Sequence, residues 1–289
     1  MAEILHPRTL DEATAMLLER PDARALGGGT AIQILRREGL IDPPTLVDLD
    51  GLSELRGIRS EDGFLCIGAM VTQREVELSE TVRAAAPLLA QTYRHVANVR
   101  VRYTATVGGN LAHGDYRLDP PAPLIALRAS VRIAGPSGQR EVPLEQFFYG
   151  LYATALEPGE ILTEVVVPDP PPRTHAAYLK YTSLSAMDWP CLGVAAAVTL
   201  AEDGTCDDLR VVLTSVSSTP VLVQGAAELA RGQRLTGALL EEVGARAAEQ
   251  VEPTPDIRGS EWYKREMARV FAGRAIRAAA ARGGVMSIE

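Results

Sequence analysis

Apolar residues recur along this chain in two rhythms, and each marks a different kind of element. Ala13, Met16 and Leu17 fall at helical spacing behind Thr9-Leu10-Asp11-Glu12. A threonine with glutamate three residues on is the signature of a capped helix start, and Pro21 ends the run. The apolar stretch Ala23 to Leu26 predicts a short strand that enters Gly27-Gly28-Gly29. Thr30 is the expected N-cap of the next helix, with Ile32 and Leu35 on its apolar side and Gly39 as its stop. Thr45 to Leu49 is the following strand, so the first fifty residues predict helix, strand, glycine turn, helix and strand.

The pattern then changes. Gly57-Ile58-Arg59 and Phe64 to Ile67 predict two strands around the turn Glu61-Asp62-Gly63. Thr72 with Glu75 repeats the capping box, and Leu88, Leu89, Thr92 and Val96 predict one long helix from Thr81 to about Ala97. A helix over Pro121 to Ala129 and a strand over Ser130 to Ala134 come next. Pro168-Asp169-Pro170-Pro171-Pro172 holds four prolines in five positions and cannot lie within a helix or a central strand, which makes it a linker. Beyond it, Ala177 to Thr182, Cys191 to Leu200 and Asp208 to Val216 predict an antiparallel sheet. Val221 to Arg231, Leu239 to Glu249 and Glu261 to Ala281 predict helices. Strands followed by helices indicate an α+β unit over 171–289, with the boundary near 170.

Composition narrows the function classes. A chain of 289 residues has room for two domains, and its apolar fraction of 46% is that of an ordinary globular protein. No run of 18 apolar residues predicts a membrane span, and the stretch Met1 to Pro7 lacks the basic and apolar segments of a signal peptide. The net charge of −8 argues against nucleic acid as a partner. Cys66, Cys191 and Cys206 are scattered, which suits reduced thiols in a cytoplasmic protein. Three cysteines cannot supply the four ligands of an iron–sulfur cluster or structural zinc, and the four histidines show no metal-ligand spacing.

Two glycine-rich stretches carry the candidate chemistry: Leu26-Gly27-Gly28-Gly29-Thr30 and Thr106-Val107-Gly108-Gly109-Asn110. Without Cβ atoms the backbone can be approached closely, and successive N–H groups can converge on phosphate oxygens. The first stretch also precedes a helix N-terminus, which adds partial positive charge. Neither fits the GxGxxG or P-loop spacing. Physical reasoning therefore reaches a dinucleotide-like anion or, equally, a pair of tight turns.

Leu26 to Ile32 resembles the first glycine turn of the FAD subunits and domains in the xanthine dehydrogenase and carbon monoxide dehydrogenase family, and Thr106 to Leu111 is similar to its second signature. Val47-Asp48-Leu49, Glu54 to Ile58, Ile67 to Thr72, Asp119-Pro120-Pro121, Glu160-Ile161-Leu162 and Asp256 to Ser260 resemble further family stretches in the same order, so the likeness spans essentially the whole chain. It implies an α+β fold with a two-lobed FAD-binding domain of the PCMH or vanillyl-alcohol-oxidase-like type over 1–170 (lobes about 1–55 and 56–170) and a small C-terminal domain over 171–289.

The resemblance further implies that Gly27, Gly28, Gly29, Thr30, Ala31, Thr106, Gly108, Gly109 and Asn110 hold the FAD diphosphate. It places Asp119 on the ribityl chain and Leu162, Lys180, Val96 and Ala97 near the flavin; a snorkelling Lys180 is the alternative. Asp188-Trp189 matches an acidic–aromatic pair beside the ring. Ala31, Tyr103 and Ala105 depart from the family pattern, and the cysteine-rich insertion of its benzoyl-CoA reductase branch is missing.

In functional terms the resemblance implies a non-covalent FAD module of a three-subunit molybdenum hydroxylase. A small partner would carry two [2Fe–2S] clusters and a large partner a molybdopterin cofactor, assembled as a dimer of heterotrimers. On that expectation the chain contributes no catalytic acid, base or nucleophile of its own. Two alternatives stand beside it: a stand-alone flavin oxidoreductase with flavin tethered through His113, and a scaffold subunit without flavin.

Overall fold

The computed structural model describes residues 2–281 and the backbone of 285–288. Three sheets succeed one another along the chain. In the first, β1 (Glu3–Leu5), β2 (Arg24–Leu26) and β3 (Thr45–Asp48) are parallel in the order β1-β3-β2, joined by helices α1 (Leu10–Glu19) and α2 (Thr30–Arg37). Thr9 caps α1 by accepting from Glu12 N, but the Glu12 carboxylate accepts from Arg8 N, one residue before the cap, so only half of the expected box closes. Thr72 and Glu75 form the full box. The cap of α2 falls one residue earlier than expected: Gly29, at φ 68°, replaces Thr30.

The second sheet contains β4 (Ile58–Glu61), β5 (Phe64–Gly68), β6 (Ser130–Gly135), β7 (Gly138–Pro143) and, after the small hairpin β8 (Phe148–Gly150) and β9 (Ala153–Thr154), β10 (Ile161–Pro168). Its order is β4-β5-β10-β6-β7. Asp62 and Gly63 form a two-residue hairpin loop with φ 52° and 81°, the left-handed pair that matches strand twist. Between β5 and β6 run six short helices: α3 (Gln73–Leu78), α4 (Glu80–Ala85), α5 (Pro87–Arg94), α6 (Val99–Thr104), α7 (Val107–His113) and α8 (Pro121–Ala126). The single helix expected from Thr81 to Ala97 is therefore two. Pro87 keeps the preceding Ala86 out of helical geometry and opens α5 at its own first position.

Past the proline run, β11 (Thr174–Tyr181), β12 (Leu192–Leu200), β13 (Cys206–Thr214) and β14 (Val221–Leu222) pair antiparallel. Helices α9 (Ala226–Ala230), α10 (Gly237–Gln250) and α11 (Glu261–Ala280) come after them, and β15 (Val285–Ile288) closes the sheet parallel to β11. The helix expected from Val221 starts only at Ala226, because Val221 and Leu222 extend the sheet and Gly225 turns at φ 81°. One face of this third sheet (Ala177, Leu179, Val194, Ala196, Val211) packs with Ala268, Phe271 and Ala275 of α11. The other (Tyr178, Ala195, Ala197, Val212) enters the core of the second lobe. Burial on both faces explains why Val194 to Val198 is apolar without alternation.

Charge pairs hold the periphery. Burial alone would raise the Glu77 carboxyl, but hydrogen bonds from Arg74 and Arg102 outweigh it and keep it below its ordinary 4.5. Arg140 does the same for Glu160. Asp256 is lowered too: the backbone N–H of Arg258 and the Lys264 ammonium outweigh its burial. Carboxyls lowered in the folded state contribute stability that is present above 4.5 and is lost as pH falls through the folded values. The denaturation midpoint should thus drop as pH is lowered below 4.5, and Glu160→Gln should flatten that dependence. An unchanged slope in the variant would remove Glu160 from the account.

Candidate functional site

The two glycine-rich stretches, some eighty residues apart in sequence, lie against each other. A Cβ on Gly28 would stand 1.8 Å from the carbonyl oxygen of Thr104, and one on Gly27 would stand 2.8 Å from Thr106 Oγ1. The absence of side chains at 27 and 28 is what lets strand β2 run into α2 directly beside the end of α6. A Cβ on Gly108 would meet Ala69 at 2.5 Å, so the second stretch is seated on the loop after β5 in the same way.

Their backbone donors differ. Among the described residues, the N–H groups of Gly27, Gly28 and Gly29 donate to no backbone acceptor, and α2 has no side-chain cap. The first N–H of α2 to find a partner is that of Gln33, on Gly29 O at 3.0 Å, so Thr30, Ala31 and Ile32 add the open donors of a helix start. The second stretch is not a free turn but the first turn of α7. Val107 N donates to Val71 O (2.9 Å), Gly108 N to Ala69 O (2.8 Å) and Gly109 N to the capping Thr106 Oγ1 (3.1 Å). What it leaves open is the buried Oδ1 of Asn110. Open N–H groups at a helix N-terminus suit a diphosphate, whereas the unpaired Asn110 Oδ1, an acceptor, suits a donor group of a ligand.

A polar cluster is buried elsewhere in the chain, around Asp119. Asp119, 4% exposed just before α8, accepts from Tyr178 Oη at 2.6 Å through Oδ1 and from Lys180 Nζ at 3.0 Å through Oδ2. Lys180, 2% exposed, also donates to His95 O at 2.9 Å. It does not snorkel. Residues 178 and 180 share one strand face by the period of two, which carries both side chains to Asp119. Gly193 on β12 leaves the room: a Cβ there would stand 2.4 Å from the Tyr178 hydroxyl. Burial and the neighbouring Asp119 carboxylate push the Tyr178 hydroxyl well above its ordinary value, so it stays a donor. Sequence reasoning missed Tyr178; the signal was a tyrosine and a lysine alternating with apolar residues in a strand.

The remaining predicted residues fall around these two features. Val96 is buried and Ala97 packs beside it in the loop after α5, where Ala97 adopts φ 43°. Leu162 is buried in β10 at a bulge, next to Thr163, whose carbonyl accepts from Ala69 N. Trp189 lies between the guanidinium groups of Arg117 and Arg258, 4.5 and 5.6 Å from the ring centre, and Asp188 pairs with Arg258 at 2.8 Å. His113 stacks on Tyr152 with ring centres 4.9 Å apart, and its pKa is lowered, by burial above all, so it is neutral.

A family model described as "FAD binding domain in molybdopterin dehydrogenase" matches residues 1–170, and "CO dehydrogenase flavoprotein C-terminal domain" matches 161–279. The chain belongs to this family of FAD-binding proteins of molybdopterin dehydrogenases. It is 35% identical over 278 residues to the carbon monoxide dehydrogenase medium chain of Hydrogenophaga pseudoflava, covering 96% of both chains. To the xanthine dehydrogenase FAD-binding subunit of Escherichia coli O157:H7 it is 30% identical, covering 96% of this chain and 95% of that one. Its fold superposes on a chain of the reconstituted CO dehydrogenase from Oligotropha carboxidovorans with a TM-score of 0.94 at 34% identity, covering 98% of each.

Proposed function

We propose that this chain is the FAD-carrying electron-transfer subunit of a three-subunit molybdenum hydroxylase. The observation that carries the site is the contact of Gly27 and Gly28 with residues 104–106, which seats the open donors of the first motif against the second. The relatives' names, medium chain and FAD-binding subunit, support the role. On this reading the N–H groups of 27–32, with the side-chain N–H of Asn110, hold the diphosphate. Thr30, Ala31, Thr106, Gly108 and Gly109 shape the turns. Asp119, Lys180, Leu162, Val96 and Ala97 surround the rest of the cofactor.

FAD, when bound, supplies the redox chemistry. The chain's own work is to orient it and exclude water. The buried Lys180–Asp119 pair, closed at 3.0 Å, holds both side chains in place. We infer that electrons arrive from two [2Fe–2S] clusters of a small partner, that the organic substrate is hydroxylated at a molybdopterin centre of a large partner, and that the assembly is a cytoplasmic dimer of heterotrimers. No helix among the described residues is long and apolar enough to cross a membrane. The three cysteines are free and buried, and burial above all raises the Cys206 thiol to about 11, so it is inert.

The flavin is held without a covalent bond on this reading. Co-expression with the genomic neighbours, purification and acid precipitation test it. Flavin absorbance near ~450 nm should leave with the supernatant and be identified there as FAD. Colour retained in the pellet would mean a tethered flavin, and an assembled complex without flavin would leave only a scaffold.

A further inference from the structure

Just past the end of helix α5, two buried cations from different elements hold three successive carbonyls. Lys180 Nζ, from β11, donates to His95 O at 2.9 Å. Arg102 Nη1, from α6, donates to Val96 O at 2.9 Å and to Ala97 O at 3.1 Å. Each cation has its own carboxylate: Asp119 for Lys180, and Glu77 Oε2, at 2.9 Å from Nε, for Arg102. Arg102 and Glu77 are both 8% exposed, and Arg74 also pairs with Glu77, at 2.5 Å.

A cation at a helix C-terminus is a common way to satisfy its last carbonyls. Capping alone would need neither two cations nor a buried carboxylate behind each. Nor does capping account for Ala97, which the clamp holds at φ 43°, a left-handed conformation that alanine keeps only where its surroundings impose it. Arg102 also lies on the helix whose last residue, Thr104, meets Gly28. One short helix thus connects the loop of Val96 and Ala97 to the diphosphate cradle.

We propose that Arg102, backed by Glu77, is a positioning residue for FAD: it sets residues 96–97 as a preformed wall of the cofactor site. The proposal rests on the reading that FAD lies against Val96 and Ala97. A wall ordered before the cofactor arrives spares the cost of ordering it on binding. The guanidinium is needed because two carbonyls and one carboxylate must be met by one rigid fork, which a lysine ammonium cannot reproduce.

The test uses the assembled complex, stripped of FAD and titrated with FAD by flavin fluorescence. Arg102→Lys should assemble yet bind FAD about tenfold or more weaker, with an altered visible circular dichroism of the bound flavin. Glu77→Gln should move both readouts the same way by less. In the wild-type complex, hydrogen exchange at the amide of Val96, which donates to Tyr93 O at 3.2 Å, should be as slow without FAD as with it. Wild-type affinity and dichroism in Arg102→Lys would overturn the proposal. So would a Val96 amide that exchanges freely until FAD is added, because FAD would then organise the wall. Should Arg102→Lys fail to assemble, the wild-type exchange measurement decides. A wild-type complex that takes up no FAD overturns the reading of the site itself, a failure visible before any variant is made.

Discussion

Replacing Gly28 with alanine should leave the purified complex essentially without FAD, a loss of affinity of about a hundredfold or more, on the order of 2.7 kcal/mol. The new Cβ would stand 1.8 Å from the Thr104 carbonyl oxygen and 2.6 Å from its carbon, and both are backbone atoms that cannot rotate away. Relief requires the start of α2 and the end of α6 to separate by more than an ångström, and the open donors of 27–32 move with α2. Gly27→Ala should be far milder. Its Cβ would meet Thr106 Oγ1 at 2.8 Å, a side-chain atom, and the cost is bounded by that atom's role as the cap of α7, typically ~1 kcal/mol. The ratio of flavin absorbance to protein in the two purified variants reads the difference. Full flavin content in Gly28→Ala would mean that the contact of the two motifs is not what builds the cradle.

That contact was invisible in the sequence, and the reason is physical. Glycine at 27, 28, 108 and 109 announces close backbone approach but not what approaches. The periodicities were informative for α1, β2, α2 and β3, for the β4–β5 hairpin with its Asp62-Gly63 loop, and for helices α10 and α11, whereas strand β1 was not read. They misled where backbone chemistry overrides pattern. Pro87 divides a run of apolar residues at unbroken helical spacing, and Val221-Leu222 joins a sheet edge although its residues also suit a helix. In the site, Asp119 and Lys180 could be named through the family resemblance, yet their pairing with each other could not. Tyr178 meets Asp119 across 59 residues of chain and Arg102 meets Glu77 across 25, and nothing local marks either pair.

The buried Lys180–Asp119 pair gives the second large effect. Asp119→Ala removes the only carboxylate facing Lys180 among the described residues and leaves the ammonium with His95 O alone, at 2% exposure. Breaking one side of a buried pair costs about 3–5 kcal/mol, because the remaining charge is neither solvated nor compensated. Tyr178 Oη loses its carboxylate acceptor as well. Replacing both partners with apolar residues of similar size, Asp119→Leu with Lys180→Met, should recover much of the loss, since no charge is then stranded. Recovery should stay incomplete, because His95 O has lost its lysine donor and Tyr178 Oη its carboxylate, each loss worth roughly 1–3 kcal/mol in a buried setting. Denaturation midpoints of the single and double variants, measured on the FAD-free complex, give the stability ordering, and FAD titration gives the second axis. If the pair serves only folding, the double variant should regain FAD affinity along with stability. If Asp119 and Lys180 meet the cofactor, stability returns and affinity does not, and that separation is the expected result.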